Sequence, residues 1–204
     1  MASELGEALR RVVEIMARLR RDCPWDAEQT HRSLVKHLIE ETAETVDAIE
    51  AGSDDDLVEE LGDVLLQVVF HAEIARLDGR FDIDDVADAL VAKLISRHPW
   101  VFATDDAPTD MMATWEGAKQ AEKRRASALD GVPDALSSLA RAAKVATRLR
   151  DVHVDVPSVG ASETTVGHEL LALVVDAVNQ GVDPDQSLRD ATREWESRVR
   201  AAGL

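Results

Sequence analysis

The chain has little of three features that would assign it to a familiar class. Its 204 residues include one cysteine, Cys23, so an intrachain disulfide is excluded and a reducing compartment is expected. The net charge is −17 at pH 7 and no extended basic run is present, which argues against binding to nucleic-acid polymers or anionic membranes. No apolar run approaches the length of a membrane span, and no signal sequence is recognised, so we expect a cytoplasmic protein without membrane contact.

The alternating pattern of a β-strand is also absent, and apolar residues recur instead at helical spacing. We expect a first helix from Leu5 to about Arg21, followed by a break at Cys23-Pro24. Four further boundaries follow from capping and stop signals: an N-cap at Thr30, a turn at Gly52, an N-cap at Ser53 and a capping box that begins at Asp82. These four helices with short connections predict an all-α bundle.

The second part of the chain resembles a degraded copy of the first. After a loop from His98, we expect a polar helix near residues 110–125, a helix opened by Pro133, and two last helices at about 163–179 and 184–201. A shift of 105 residues aligns Gly62 with Gly167 and Val69 with Val174, which favours an internal duplication. We therefore predict two domains, residues 1–126 and a degenerate half at residues 127–204.

Four carboxylates are spaced so that they can meet. Glu41 and Glu44 stand at i and i+3, as do Glu60 and Asp63, so each pair lies on one face of its helix. Because Glu44 and Glu60 lie equally far from Gly52, an antiparallel hairpin brings them to one height, roughly 12 Å from the turn. Carboxylates crowded in this way repel one another unless a hard cation such as Mg²⁺ or Mn²⁺ binds them.

Other interpretations of these carboxylates are open at this point. Acidic residues commonly form the solvated face of a helix, and a helical module with an acidic face could bind a basic partner. A di-iron bundle also uses helical glutamates, but it usually carries Glu-x-x-His pairs, whereas His37 precedes Glu40. The apolar residues beside the four carboxylates favour the metal site, since charge next to a packed seam is costly without a partner.

The order of several motifs resembles the MazG family, nucleoside triphosphate pyrophosphohydrolases with an all-α fold. The motifs run from about residue 7 and comprise C-P-W-D-x-E-Q-T, E-E-x-x-E, E-x-x-D, G-R-F-D, R-H-P-x-V-F and W-E-x-x-K. The resemblance implies a four-helix bundle, a degenerate second half at the C-terminus that serves as a scaffold or in dimerisation, and a homodimer. It also implies Mg²⁺-dependent hydrolysis of NTPs or dNTPs to the monophosphate and pyrophosphate, as in nucleotide-pool house-cleaning.

The resemblance also implies roles for individual residues. Glu41, Glu44, Glu60 and Asp63 would form the catalytic Mg²⁺ site, with Mn²⁺ as a possible substitute. The family's substrate-binding positions fall on Lys93, Arg97, Trp115 and Lys119, where the basic side chains would hold phosphates and the indole would cover a base or ribose. Only the first half has the complete acidic motif, so the alternative is a catalytically inactive scaffold or partner-binding module of the same fold.

Overall fold

The described part of the chain is entirely helical where it has regular structure. The computed structural model describes residues 2–103, 127–152 and 165–202, together with the single positions Thr109, Met111 and Thr114, and it describes side chains from Gly6 onward. These residues contain no β-strand, which confirms the all-α prediction. The chain divides into two compact units, Met1–Trp115 and Glu116–Leu204.

The first unit contains six of the described helices. They are α1 (Ala2–Asp22), α2 (Pro24–Glu28), α3 (Val35–Ala51), α4 (Asp54–Leu77), α5 (Ile83–Arg97) and α6 (Pro99–Phe102). Helix α4 is central, since it packs against α1, α3 and α5. The short helices α2 and α6 replace stretches that we expected to be irregular, and each begins at a proline, whose fixed φ suits the first helical turn.

Helices α3 and α4 form the predicted hairpin, and the turn between them has a clear sequence cause. A Cβ atom on Gly52 would lie 2.8 Å from the Cα of Ala48, so only glycine fits there without a shift of the backbone. Ser53 then caps α4: its hydroxyl accepts a hydrogen bond from the backbone N–H of Asp56, whose carboxylate accepts one from the N–H of Ser53. This capping box confirms the predicted start of α4.

The predicted start of α3 at Thr30 was wrong. The Thr30 hydroxyl accepts a hydrogen bond from the N–H of Ser33 at 3.1 Å, and this local pair closes a turn that ends before the helix begins at Val35. Such side-chain to backbone pairing competes with the start of a helix. At the other end of the unit, Asp82 forms the predicted capping box with Asp85 and starts α5.

The core of the first unit lies along the C-terminal half of α4. The buried side chains Val69, Phe70 and Ile74 of that helix pack with Met16 from α1 and with Leu34. The N-terminal half of α4, before Gln67, carries no buried side chain. The half of the hairpin nearest the turn therefore lies outside the hydrophobic core but next to it.

The second unit contains three described helices that pack on one another, α7 (Ser138–Val152), α8 (Val166–Asn179) and α9 (Pro184–Ala201). The predicted start of this helix at Pro133 was wrong: α7 begins at Ser138, and the hydroxyl of Ser137 caps it by accepting a hydrogen bond from the N–H of Ala140. Val174 and Val178 of α8 are buried. None of the described helices in either unit is long and apolar enough to cross a membrane.

Candidate metal centre

Three of the predicted carboxylates meet between α3 and α4. Glu41 from α3 and Glu60 and Asp63 from α4 each offer one carboxylate oxygen, and these oxygens lie within 4.8 Å of one another. All three side chains are partly buried. The register of the hairpin is marked by Thr45, whose hydroxyl donates to the carbonyl of Glu41 at 2.7 Å and lies 3.4 Å from the carbonyl of Glu60.

Glu44 stands at the edge of this group. It is exposed and is not one of the three residues whose oxygens converge. It is nevertheless close enough for its negative charge to raise the pKa of both Glu41 and Glu60. The structure therefore brings all four carboxylates into one neighbourhood, with three of them in direct convergence.

The electrostatics of the group are unfavourable without a cation. Burial, and then the negative charge of Asp63, raises the pKa of Glu41 above its ordinary value. Burial, and then the charges of Glu44 and Asp63, raises the pKa of Glu60. Both shifts arise because removal from water and like charge each disfavour the ionised form.

One oxygen in the group has no hydrogen-bond partner. Oε2 of Glu60 is inaccessible to solvent and receives no hydrogen bond from any described residue. A buried carboxylate oxygen without a donor is costly, and a divalent cation would supply the missing partner. Since the converging ligands are all oxygens, their chemistry fits Mg²⁺ or Mn²⁺.

Neighbouring acidic residues do not belong to the group. Glu40 is not one of the converging residues, and its Oε2 lies 3.2 Å from Nδ1 of His37. Among the described residues, the converging set contains no histidine, which does not fit the Glu-x-x-His ligands of a di-iron bundle. The carboxylate-only composition separates this centre from that alternative.

Comparison with known proteins agrees with this geometry. A model of the MazG nucleotide pyrophosphohydrolase domain matches residues 29–102. A protein of Streptomyces cacaoi, described as an uncharacterized 26.1 kDa protein in the blaB 3′ region, is 50% identical over 97% of this chain and 83% of its own length. The nucleoside triphosphate pyrophosphohydrolase/pyrophosphatase MazG of Thermotoga maritima is 37% identical over 97% of this chain and 86% of its own length. The chain belongs to the MazG family.

Some relatives are longer than this chain. The nucleoside triphosphate pyrophosphohydrolase of Mycolicibacterium smegmatis is 43% identical over 96% of this chain, which spans 59% of the length of that relative. The region matched by the MazG model contains all four carboxylates as well as Lys93 and Arg97. The similarity therefore covers the whole α3–α4 hairpin and the helix that follows it.

The predicted substrate-binding residues have different surroundings. Lys93 on α5 is exposed, whereas Arg97, one turn later, is 8% exposed and already engaged in an interaction. Trp115 and Lys119 lie outside the described residues. The structure therefore describes the surroundings of Lys93 and Arg97 only, and neither is one of the three residues whose oxygens converge.

One residue near the group was not singled out from the sequence. Gln67 follows Asp63 by one helical turn on α4 and is 4% exposed. The sequence does contain a signal for it, since Gln67 is the one polar residue within the run Val64–Phe70. An amide in the middle of an apolar stripe needs a hydrogen-bond partner, which marks the position as unusual.

Proposed function

We propose that this protein hydrolyses nucleoside triphosphates, ribo or deoxyribo, to the nucleoside monophosphate and pyrophosphate, with Mg²⁺ as its cofactor. The observation that carries the proposal is the convergence of Glu41, Glu60 and Asp63 around a buried carboxylate oxygen that lacks a partner. Its membership of the MazG family and the names of its pyrophosphohydrolase relatives support the reaction class.

In this proposal Glu41, Glu60 and Asp63 hold the cation, and Mn²⁺ can replace it. Bound Mg²⁺ would supply positive charge to phosphate oxygens and lower the pKa of a water molecule. Glu44, at the exposed edge of the group, either completes the ligand set or orients the attacking water and accepts its proton. Water adds to phosphorus, the bond between the α and β phosphates breaks, and pyrophosphate leaves.

The basic residues of the proposal hold the substrate. Lys93 and Arg97 are four residues apart on α5; exposed Lys93 would hold the polyphosphate directly, and Arg97, which is 8% exposed, would add its charge from a buried position. Trp115 would cover the base or ribose, and Lys119 would reach a phosphate. Because the chain has a net charge of −17, we expect the anionic substrate to bind together with Mg²⁺, which reduces its negative charge.

We also propose a division of labour along the chain. Residues 1–126 would form the catalytic domain, and residues 127–204 a degenerate copy that acts as scaffold and supports a homodimer. Burial of both Val69 and Val174, which the internal repeat aligns, supports the duplication. Exposed Leu170, Leu173 and Trp195 in the second unit support its use in an interface. The cellular role would be cytoplasmic removal of unwanted nucleotides.

The proposal is tested by conservative substitutions measured for pyrophosphate release. Glu44→Gln and Glu60→Gln should abolish turnover with Mg²⁺ while leaving the helical circular dichroism spectrum unchanged. Glu59→Gln, the same change at the adjacent exposed residue, is the matched control and should retain activity. Turnover at the wild-type rate in both test variants would remove the proposed metal site, and a wild-type chain inactive on every nucleotide would favour the inactive scaffold.

A further inference from the structure

Gln67 has a buried polar atom that the fold itself does not use. The side chain is 4% exposed, and its carbonyl oxygen Oε1 has no hydrogen-bond partner among the described residues. Buried side-chain oxygens in folded proteins are nearly always paired, because an unpaired acceptor loses its hydration without compensation. The unpaired oxygen of Gln67 is explained if a bound ligand supplies its hydrogen-bond donor.

The position of Gln67 relates it to the metal centre. Glu60, Asp63 and Gln67 are spaced i, i+3 and i+7 along α4, so they form one stripe on the helix surface. Side chains of an α-helix lean toward its N-terminus, which carries the side chain of Gln67 over the turn that bears Asp63. Gln67 is thus the next residue along the stripe from the carboxylates.

The register of the hairpin places an aromatic pair, His37 and Trp25, at the level of Gln67. Glu41 lies opposite Asp63, so the residue four positions before Glu41, His37, lies opposite the residue four positions after Asp63, Gln67. The ring of Trp25 meets the ring of His37 edge to face, with centroids 6.2 Å apart. Trp25 is 55% exposed, so about half of its surface is open to a ligand.

The two sides of the metal centre differ in their chemistry. Toward Gly52 the hairpin carries Asp56 and Glu59, whose negative charges act on Glu60. Away from Gly52 it carries Gln67 and His37, with the indole of Trp25 beside the imidazole and one carboxylate, that of Glu40, 3.2 Å from the imidazole. A nucleotide whose phosphates lie at the carboxylate group would be repelled on the first side, whereas on the second side its nucleoside would meet an acceptor and an aromatic ring.

We propose that Gln67 is a specificity-determining residue that accepts a hydrogen bond from the nucleoside of the substrate, in a subsite that Trp25 also lines. The proposal rests on the proposed function, since it takes a nucleoside triphosphate as the ligand. The donor is either a sugar hydroxyl or an N–H group of the base, and both provide the hydrogen that a carbonyl oxygen requires. The cost of the unpaired oxygen in the free protein is then recovered when the substrate binds.

The test substitution is Gln67→Leu, which keeps a similar volume and removes the acceptor. Without nucleotide, we expect its melting temperature to equal or exceed that of the wild type, because a buried unpaired oxygen has been removed. Val68→Leu, on the exposed neighbouring position of α4, is the control and should leave kinetics unchanged. For the best substrate, Gln67→Leu should raise KM about threefold to tenfold with little change in kcat, as expected for one hydrogen bond to an uncharged donor.

Substrate analogues identify the donor. The best substrate is compared with its 2′-deoxy and 2′,3′-dideoxy forms and with a form that lacks the base N–H donors, each with wild type and Gln67→Leu. The wild type should discriminate against one of these analogues, and the substitution should abolish that discrimination. Loss of a sugar effect identifies a hydroxyl, and loss of a base effect identifies the N–H group.

Three results would overturn the proposal while leaving the proposed function intact. The first is a melting temperature of nucleotide-free Gln67→Leu below that of both the wild type and Val68→Leu. The second is an unchanged KM for the best substrate. The third is a rise in KM that is equally large for the best substrate and for every analogue. The first would mean that the amide is structural, and the last that it acts on the phosphates or metal. A wild-type protein that hydrolyses no nucleotide would instead overturn the proposed function, and this proposal with it.

Discussion

Adding Mg²⁺ to the metal-free protein should stabilise it, and the gain should depend on Glu60. A ligand that binds only the folded state adds RT ln(1 + [L]/Kd) to the free energy of unfolding, about 2.7 kcal/mol when the metal concentration is one hundred times Kd. For a chain of this size, that gain corresponds to a rise in melting temperature of about 5–10 °C. If the two units unfold separately, the rise belongs to the transition of Met1–Trp115 alone, since that unit contains the carboxylates.

Glu60→Gln should change this response in two opposite ways. In EDTA the variant should melt above the wild type, because Glu60 lies within 4.8 Å of two other carboxylates and neutralisation relieves their repulsion. In Mg²⁺ it should gain much less than the wild type, because one ligand charge has been lost. The melting curves of the two proteins are therefore expected to exchange order when metal is added.

The assay is thermal unfolding followed by circular dichroism, in EDTA and across a Mg²⁺ titration at constant ionic strength. Constant ionic strength separates specific binding from general screening of a chain with a net charge of −17. Glu59→Gln, which removes the same charge from the next residue, should keep the wild-type response. Equal gains in wild type and Glu60→Gln, or no gain in the wild type, would refute the metal-site reasoning.

Three further predictions concern stability. Ser53→Ala should cost about 1 kcal/mol of unfolding free energy in denaturant titrations, because it removes the cap of α4; an unchanged midpoint would contradict the role of the capping box. In EDTA, the wild type should lose stability relative to Glu60→Gln as pH rises above 4.5, because the folded carboxyls of Glu41 and Glu60 hold protons that the unfolded chain releases. A stability difference that does not change with pH would contradict the raised pKa values. Burial, and then the charge of His31, lowers the pKa of His71, so the free energy of unfolding should fall as pH drops below about 6.5. His71→Asn should reduce that fall when melting is measured as a function of pH. An unaltered pH profile would exclude His71 as the cause.

Much of the fold could be predicted because its signals are local. The end of α3 at Gly52 and the caps at Ser53 and Asp82 follow from steric fit and short-range hydrogen bonds. The start of α3 could not be fixed in the same way, because Thr30 can cap either a helix or its own turn, and packing of Leu34 in the core belongs to the tertiary structure. No local feature of the sequence decides between a helix cap and a turn at Thr30.

The candidate site was predictable to the extent that helical periodicity determines it. Spacing about Gly52 brings Glu41, Glu60 and Asp63 together, whereas the outward position of Glu44 depends on side-chain conformation that spacing does not specify. The burial of Arg97 was also not predictable, since α5 is amphipathic and its rotation is set by contacts with other helices. The unpaired oxygen of Gln67 became visible only with three-dimensional packing.

The most direct test of the central claim is chromatographic identification of the products after the purified protein is incubated with each common NTP and dNTP, in Mg²⁺ and in EDTA. We predict monophosphate and pyrophosphate in equal amounts, formed only with the metal. Diphosphate and orthophosphate, or the same products at the same rate in EDTA, would contradict the account.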